Sequence, residues 1–183
     1  LRGVSFNVVD GAELVKIYAH IEENNMDRVL LEQVPEIAVY TRSGKRPWDD
    51  AVTMALEYAE VPYNKIFDRE VLSGNLKQYD WLHLHHEDFT GQYSKFYSYH
   101  RMPWYQQQKT TDETLARNLG YPTVAEAKKA VAQTIKEYVG GGGFLFAMCA
   151  ATETLEIALA SGRTDIVAPE YDHTPNDPDA PSK

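Results

Sequence analysis

GGGGFLFAMCAATETLEIALASG, residues 140–162, is the stretch on which the fold of this 183-residue chain turns. Phe144 to Met148 make a short apolar run, the pattern of a buried strand. Helix-forming residues from Ala150 to Ala160 follow at once, and Gly162 supplies a C-cap. No turn residues separate strand from helix, so Cys149 stands on the bend itself. At the carboxyl end of a parallel strand, such a bend lies on the edge where open α/β sheets bind ligands. Backbone N–H groups of the helix's first turn favour thiolate over thiol there. The same groups can hold an oxyanion, and Ala147, Ala150 and Ala151 are small enough to allow close approach. A reactive Cys149 competes with the bland alternative, a buried and inert small hydrophobe.

Upstream of the elbow the chain repeats a β–α rhythm. Glu36 to Thr41 reads as a buried strand and Trp48 to Glu60 as a helix with Val52, Ala55, Leu56 and Ala59 on one face, stopped by Pro62. Tyr63 to Asp68 is a second strand, Val71 to Tyr79 a weak helix or turn, and Asp80 to His86 a third strand. Thr111 to Leu119 predicts a short helix ended by Gly120. Thr123 and Glu126 then open another with a capping box. Asp165 to Ala168 could be a last strand. Before this rhythm, residues 4 to 9 give a short strand signal. Asp10 and Glu13 start a helix carrying Leu14, Ile17, Tyr18 and Ile21, and Met26 to Val34 is a further short segment. Residues 1–34 are read as an N-terminal strand–helix segment of the same domain, 35–170 as the α/β core, and 171–183 as a polar tail or linker. Alternating strands and helices of this length predict a parallel sheet with right-handed crossovers, flanked by helices.

Composition narrows the partners. Lys plus Arg number 18 against 27 Asp plus Glu, a net charge of −9, which disfavours nucleic acid. No apolar run approaches the roughly 18 residues that span a bilayer. One cysteine permits neither an internal disulfide nor a multi-cysteine zinc site. The start at Leu1 and the Pro- and Asp-rich end suggest a piece of a longer protein.

His83, His85, His86, Glu87 and Asp88 crowd the end of the third strand. Strand alternation puts His83 and His85 on one face and His86 on the other. If the domain is an enzyme, His85 or His86 should serve as base for Cys149, at most one of them while the strand stays regular. A carboxylate from Glu87, Asp88 or elsewhere should orient that ring. Structural capping by these histidines ranks equal with catalysis. Zinc or iron binding ranks third, for want of a helical His-Glu-x-x-His arrangement, and no metal or other cofactor is assigned. His173, 24 residues after Cys149, is a further candidate base or an irrelevant loop histidine. Phe89, Tyr93, Phe96, Tyr97, Tyr99, Trp104 and Tyr105 pack seven aromatics into one apparent loop. Anchoring of that loop or a subunit contact is the first reading, and lining of a pocket for a small molecule or peptide the second. Asp68 and Trp48 could lie nearby.

The order helix, glycines, strand, Cys149-Ala150-Ala151, helix resembles the nucleophile elbow of class I glutamine amidotransferases and their PfpI-type relatives. Tyr79-Asp80-Trp81-Leu82-His83-Leu84 is similar to that family's third strand, and the likeness in layout runs from about Glu36 to Ala168. It implies a flavodoxin-like three-layer sandwich whose parallel sheet has the third and fourth strands as neighbours or near-neighbours. The segments WLHLHHEDFTGQ and GGGFLFAMC also resemble a bacterial family often labelled asparagine synthetase B, which implies a longer parent chain with another βα unit before Leu1. The chain departs from the amidotransferase pattern in two places. His85-His86-Glu87-Asp88 stands where the family has Gly-Gly, and the downstream His-x-Glu pair is missing from these residues. Two functions follow as expectations. One is a cysteine-dependent hydrolase or amidotransferase-like protein acting on an amide, ester or thioester. The other is a non-catalytic module that keeps the fold and binds a ligand or partner.

Overall fold

The computed structural model describes residues 7–28, 34–42, 44–45, 50–92 and 94–182. Trp48, Tyr93, most of the loop from Ser43 to Pro47, Val4 to Phe6 of the first expected strand, and most of the Met26 to Val34 segment lie outside them. The chain divides into two units, Leu1–Val34 and Pro35–Lys183, so residues 171–183 fall with the core.

In the first unit, α1 (Gly11–Glu23) starts where the Asp10 carboxylate accepts the Glu13 N–H, as the capping pattern predicts. Asn7 to Val9 form no strand.

The second unit contains β1 (Ile37–Tyr40), α2 (Ala51–Tyr58), β2 (Asn64–Ile66), α3 (Asp68–Leu72) and β3 (Trp81–Leu84). Then come α4 (Pro103–Asn118), α5 (Val124–Gly140), β4 (Phe144–Ala147), α6 (Ala150–Ser161) and α7 (Pro169–Asp172). The four strands are parallel in the order β2-β1-β3-β4. This is an α/β fold with a parallel sheet flanked by helices, a Rossmann- or flavodoxin-like layout. The third and fourth strands are direct neighbours, Leu82 opposite Leu145 and Leu84 opposite Ala147.

Strand alternation sorts the core. Ala38, Tyr40, Ile66, Leu82 and Leu84 face α3, α5 and α6, where Val71, Val131, Ile135, Ala151 and Leu155 complete the main cluster. Ile37 and Val39 face the other way and pack with Leu56 of α2. Burying each such aliphatic side chain contributes roughly 1.5–3 kcal/mol.

Three expectations need correction. The helix expected at Thr111 begins at Pro103, because proline at the first helical position costs no hydrogen bond. The aromatic stretch is therefore no plain loop: it carries a 3₁₀ turn at Ser94–Tyr99 and the first turn of α4. Asp165 to Ala168 form no strand. The Asp165 carboxylate accepts the Val167 N–H at 2.9 Å and its carbonyl accepts the Asp177 N–H at 2.9 Å, local bonds that replace a ladder.

Candidate functional site

The strand order reverses direction at β1 and β3: β1 leads to β2 on one side, and β3 leads to β4 on the other. The carboxyl ends of β1 and β3 therefore flank the switch point, where open α/β sheets leave a crevice. A cavity of about 510 Å³ opens there. Its wall includes Thr41 and Arg42 after β1, Phe67 after β2, His86 to Asp88 after β3 and Ala150 after β4.

Cys149 joins β4 to α6 as the helix N-cap, with φ 55° and ψ −139°, and is exposed. A positive φ on a residue with a Cβ stores strain of roughly 1–3 kcal/mol, which the surroundings must hold. They hold it through three backbone bonds. Met148 N–H donates to the Leu84 carbonyl at 3.1 Å, Ala151 N–H to the His85 carbonyl at 3.2 Å, and Thr152 N–H to the Cys149 carbonyl at 3.3 Å. Cys149 is thus a strained residue on a sharp strand-to-helix turn.

β3 ends at Leu84, two residues before the expected end, so alternation does not govern His85 and His86. Their rings stack with centroids 3.4 Å apart instead of pointing to opposite faces. The expectation that at most one could approach the sulfur was made for a regular strand, and the strand ends before either residue. A ring nitrogen of His85, one of His86 and the Cys149 sulfur all lie within 4.8 Å of one another.

The carboxylate on the His85 ring belongs to Asp50. His85 Nδ1 lies 2.5 Å from Asp50 Oδ2. Asp50 is held by its second task as N-cap of α2, where Oδ1 accepts the N–H groups of Val52 at 2.7 Å and Thr53 at 3.2 Å. Burial pushes the Asp50 carboxyl up, but the His85 bond and the two backbone donors outweigh it, and the group ends below the ordinary carboxylate range. An ionised carboxylate only accepts, so Nδ1 carries the proton and the lone pair of His85 sits on Nε2.

Glu87 and Asp88 bond backbone in this structure. Glu87 Oε2 accepts the His85 N–H at 3.0 Å, and Asp88 Oδ1 accepts the Thr90 N–H at 2.8 Å. Burial raises Glu87 above its usual value, against the pull of backbone donors and Lys128. Glu87 thus shapes the His85 backbone from below. His173 caps α7 at φ 65° and belongs to neither cluster of potential ligand atoms among the described residues.

His83 is fully buried, stacked 5.7 Å from Phe146, and neither ring nitrogen has a hydrogen-bond partner. Its Nε2 faces Asp50 Oδ2 at 3.8 Å, too far for a hydrogen bond. Each orphaned polar atom costs roughly 1–3 kcal/mol. Burial lowers the His83 pKa, with the Asp50 charge opposing; the Asp50 carboxylate and the Phe146 backbone also pull it up, from contacts too long or too bent to count as hydrogen bonds.

On the other wall, Lys128 of α5 donates to Asp68 Oδ1 and to the Tyr40 hydroxyl, both at 2.8 Å, and Tyr40 in turn donates to Asp68. The ammonium also lies 4.3 Å from the Phe67 ring centroid. Burial, then the Asp68 charge, raises the Tyr40 hydroxyl well above its usual value. Arg42 grips Asp112 of α4 with both terminal guanidinium nitrogens. The aromatics of this stretch take two positions. Phe89 and Tyr105 are buried anchors, while Phe96 and Trp104, edge to face at 5.9 Å, line the cavity. Asp68 does not line the cavity; it is the buried partner of Lys128, whose side chain does.

Asp50, Tyr40, Lys128 and the Arg42–Asp112 pair were not singled out from the sequence. For Asp50 the signal was present: an acidic residue directly before Ala51-Val52-Thr53-Met54-Ala55-Leu56 is a helix N-cap. No protein-family model, no curated protein and no solved structure matches the chain. Among the described residues no helix is long and apolar enough to cross a membrane.

Proposed function

We propose that the protein is a cysteine-dependent acyl-transfer enzyme of amidotransferase-like type, a hydrolase or amidotransferase acting on an amide, ester or thioester. The observation that carries the reading is the approach, beyond the carboxyl ends of the neighbouring strands β3 and β4, of a strained Cys149 to a histidine that is itself held by a carboxylate. Cys149 is the nucleophile. His85, with its proton fixed on Nδ1 by Asp50, offers Nε2 to take the thiol proton and later to return it to the leaving group. His86 packs against the His85 ring and keeps it in place.

Attack on the carbonyl carbon forms the sulfur–carbon bond and places negative charge on the carbonyl oxygen. Collapse expels the leaving group, which takes the proton from His85, and leaves a thioester on Cys149. Water or an amine then attacks that thioester with His85 as base. Ala151 N–H is committed to the His85 carbonyl, so the oxyanion donor on the elbow is Ala150 N–H, the residue after the nucleophile. Histidines stand where the amidotransferase pattern has Gly-Gly, so the base comes from the end of β3 rather than from a downstream His-x-Glu pair.

The test is a burst experiment with an activated ester and a thioester. One equivalent of leaving group per chain, with the acyl group on Cys149 by mass spectrometry and lost in Cys149→Ser, supports the reading. No burst, and no acylation of Cys149, sinks it. A ligand-binding module is the second reading, favoured by Phe67, Phe96 and Trp104 in the cavity wall. It takes first place if the burst fails.

A further inference from the structure

We propose that Asp50, His83 and His85 also form a binding site for a divalent ion of the zinc class. Asp50 Oδ2, a ring nitrogen of His83 and a ring nitrogen of His85 lie within 4.8 Å of one another. Ligand atoms about 2.0–2.2 Å from a tetrahedral ion are roughly 3.4 Å apart. The two measured spacings bracket that value: His83 Nε2 to Asp50 Oδ2 is 3.8 Å, and His85 Nδ1 to Asp50 Oδ2 is 2.5 Å. A shift of about one ångström at His85 is enough to admit an ion.

The decisive residue is His83. It is fully buried, both its nitrogens lack hydrogen-bond partners, and Nε2 is aimed at Asp50. The catalytic reading gives it no task, and packing alone would be served as well by an apolar ring. A metal ion supplies the missing partner for Nε2. Two imidazoles and one carboxylate suit a borderline ion such as Zn²⁺ rather than Mg²⁺ or Ca²⁺, which take oxygen ligands. Three protein ligands leave a fourth position open, and Asp50 lies in the cavity wall, so that position can be reached from the cavity.

The site stands on its donor set and does not depend on the cysteine chemistry. Where that chemistry holds, the two compete for one ring. An ion on Nδ1 of His85 moves the ring proton to Nε2, and the nitrogen that the proposed mechanism uses as base can no longer accept. The ion is then an off-switch for Cys149.

Cobalt(II) added to the full chain after dialysis against a chelator gives the test, read by visible absorbance and by competition with Zn²⁺. The expected result is saturable one-to-one binding with the ligand-field bands of tetrahedral cobalt and no sulfur-to-cobalt charge-transfer band. Zn²⁺ should displace it. Cys149→Ser should bind equally well, which separates this site from the acyl-transfer reading. His83→Phe, which keeps a ring beside Phe146, should weaken binding by tenfold or more. Should that variant fail to fold, Asp50→Asn must show the same loss. Binding only at millimolar cobalt overturns the proposal. So does a thiolate band with affinity unchanged in His83→Phe, because the ion would then sit on His85, His86 and Cys149.

Discussion

His85 Nδ1 and Asp50 Oδ2 meet at 2.5 Å across 35 residues of sequence and across the switch point of the sheet. The contact ties the end of β3 to the start of α2, and it fixes which nitrogen of His85 can act as base. Asp50→Asn tests that assignment. Asparagine caps helices as well as aspartate does, so α2 should stay intact. An amide can also turn its NH₂ toward the ring and select the opposite tautomer. Ester hydrolysis should then fall by on the order of 10² or more, as for loss of a general base. Nitrogen NMR of the His85 ring should show the proton leaving Nδ1. An unchanged tautomer with unchanged turnover would remove Asp50 from the mechanism.

In the proposed mechanism the strain at Cys149 serves the nucleophile, and this separates stability from activity. At φ 55° a glycine is relaxed where cysteine is not. Cys149→Gly should abolish acylation and raise unfolding stability by about 1 kcal/mol. Cys149→Val, β-branched, should lower it. Urea unfolding of the two variants checks both signs, and a destabilised Cys149→Gly would mean the elbow is not strained.

The Lys128–Asp68 pair is buried on both sides and shares Tyr40. Lys128→Met leaves a buried carboxylate uncompensated and should cost roughly 3–5 kcal/mol. Lys128→Met combined with Asp68→Leu should recover much of that loss. Equal destabilisation in single and double variants would show that the charges are not coupled.

How much of this was legible in sequence depended on whether a signal was local. The elbow at residues 140–162 could be read because strand, bend and helix are consecutive. That the sheet is parallel followed from the β–α rhythm, whereas the adjacency of β3 and β4 was expected from the resemblance to the amidotransferase layout. The partner of His85 could not be found by looking beside it, because Glu87 and Asp88 are adjacent in sequence yet bond backbone groups, while Asp50 arrives through the topology. The faces of His85 and His86 were misjudged because a strand's end cannot be fixed to the residue, and two residues reverse an alternation argument. Asp165 reads as a strand residue until its own carboxylate takes up the Val167 N–H.

His83 gives the acid response of the fold. Burial holds its pKa below the ordinary 6.5, so the folded chain binds fewer protons there than the unfolded chain. Stability therefore rises with pH between the lowered native value and about 6.5, and falls on acidification through that window. In His83→Phe the slope in that window should shrink, as measured by urea midpoints in chelator-treated protein at a series of pH values. Loss of the Asp50 contribution belongs to lower pH, where a depressed carboxylate is finally protonated. Identical slopes in wild type and variant would show that His83 is not the group titrating.

The rate of Cys149 alkylation by iodoacetamide at neutral pH, in chelator-treated wild type and in His85→Gln, bears most directly on the cysteine–histidine pair. A free cysteine is only a few per cent thiolate at pH 7, so an engaged base can raise the rate by roughly tenfold or more. The wild-type thiol should react faster than a free thiol by that factor, and His85→Gln should return it to the free-thiol rate with unchanged circular dichroism. A wild-type rate equal to that of a free thiol, and indifferent to His85→Gln, would contradict the pairing of Cys149 with His85.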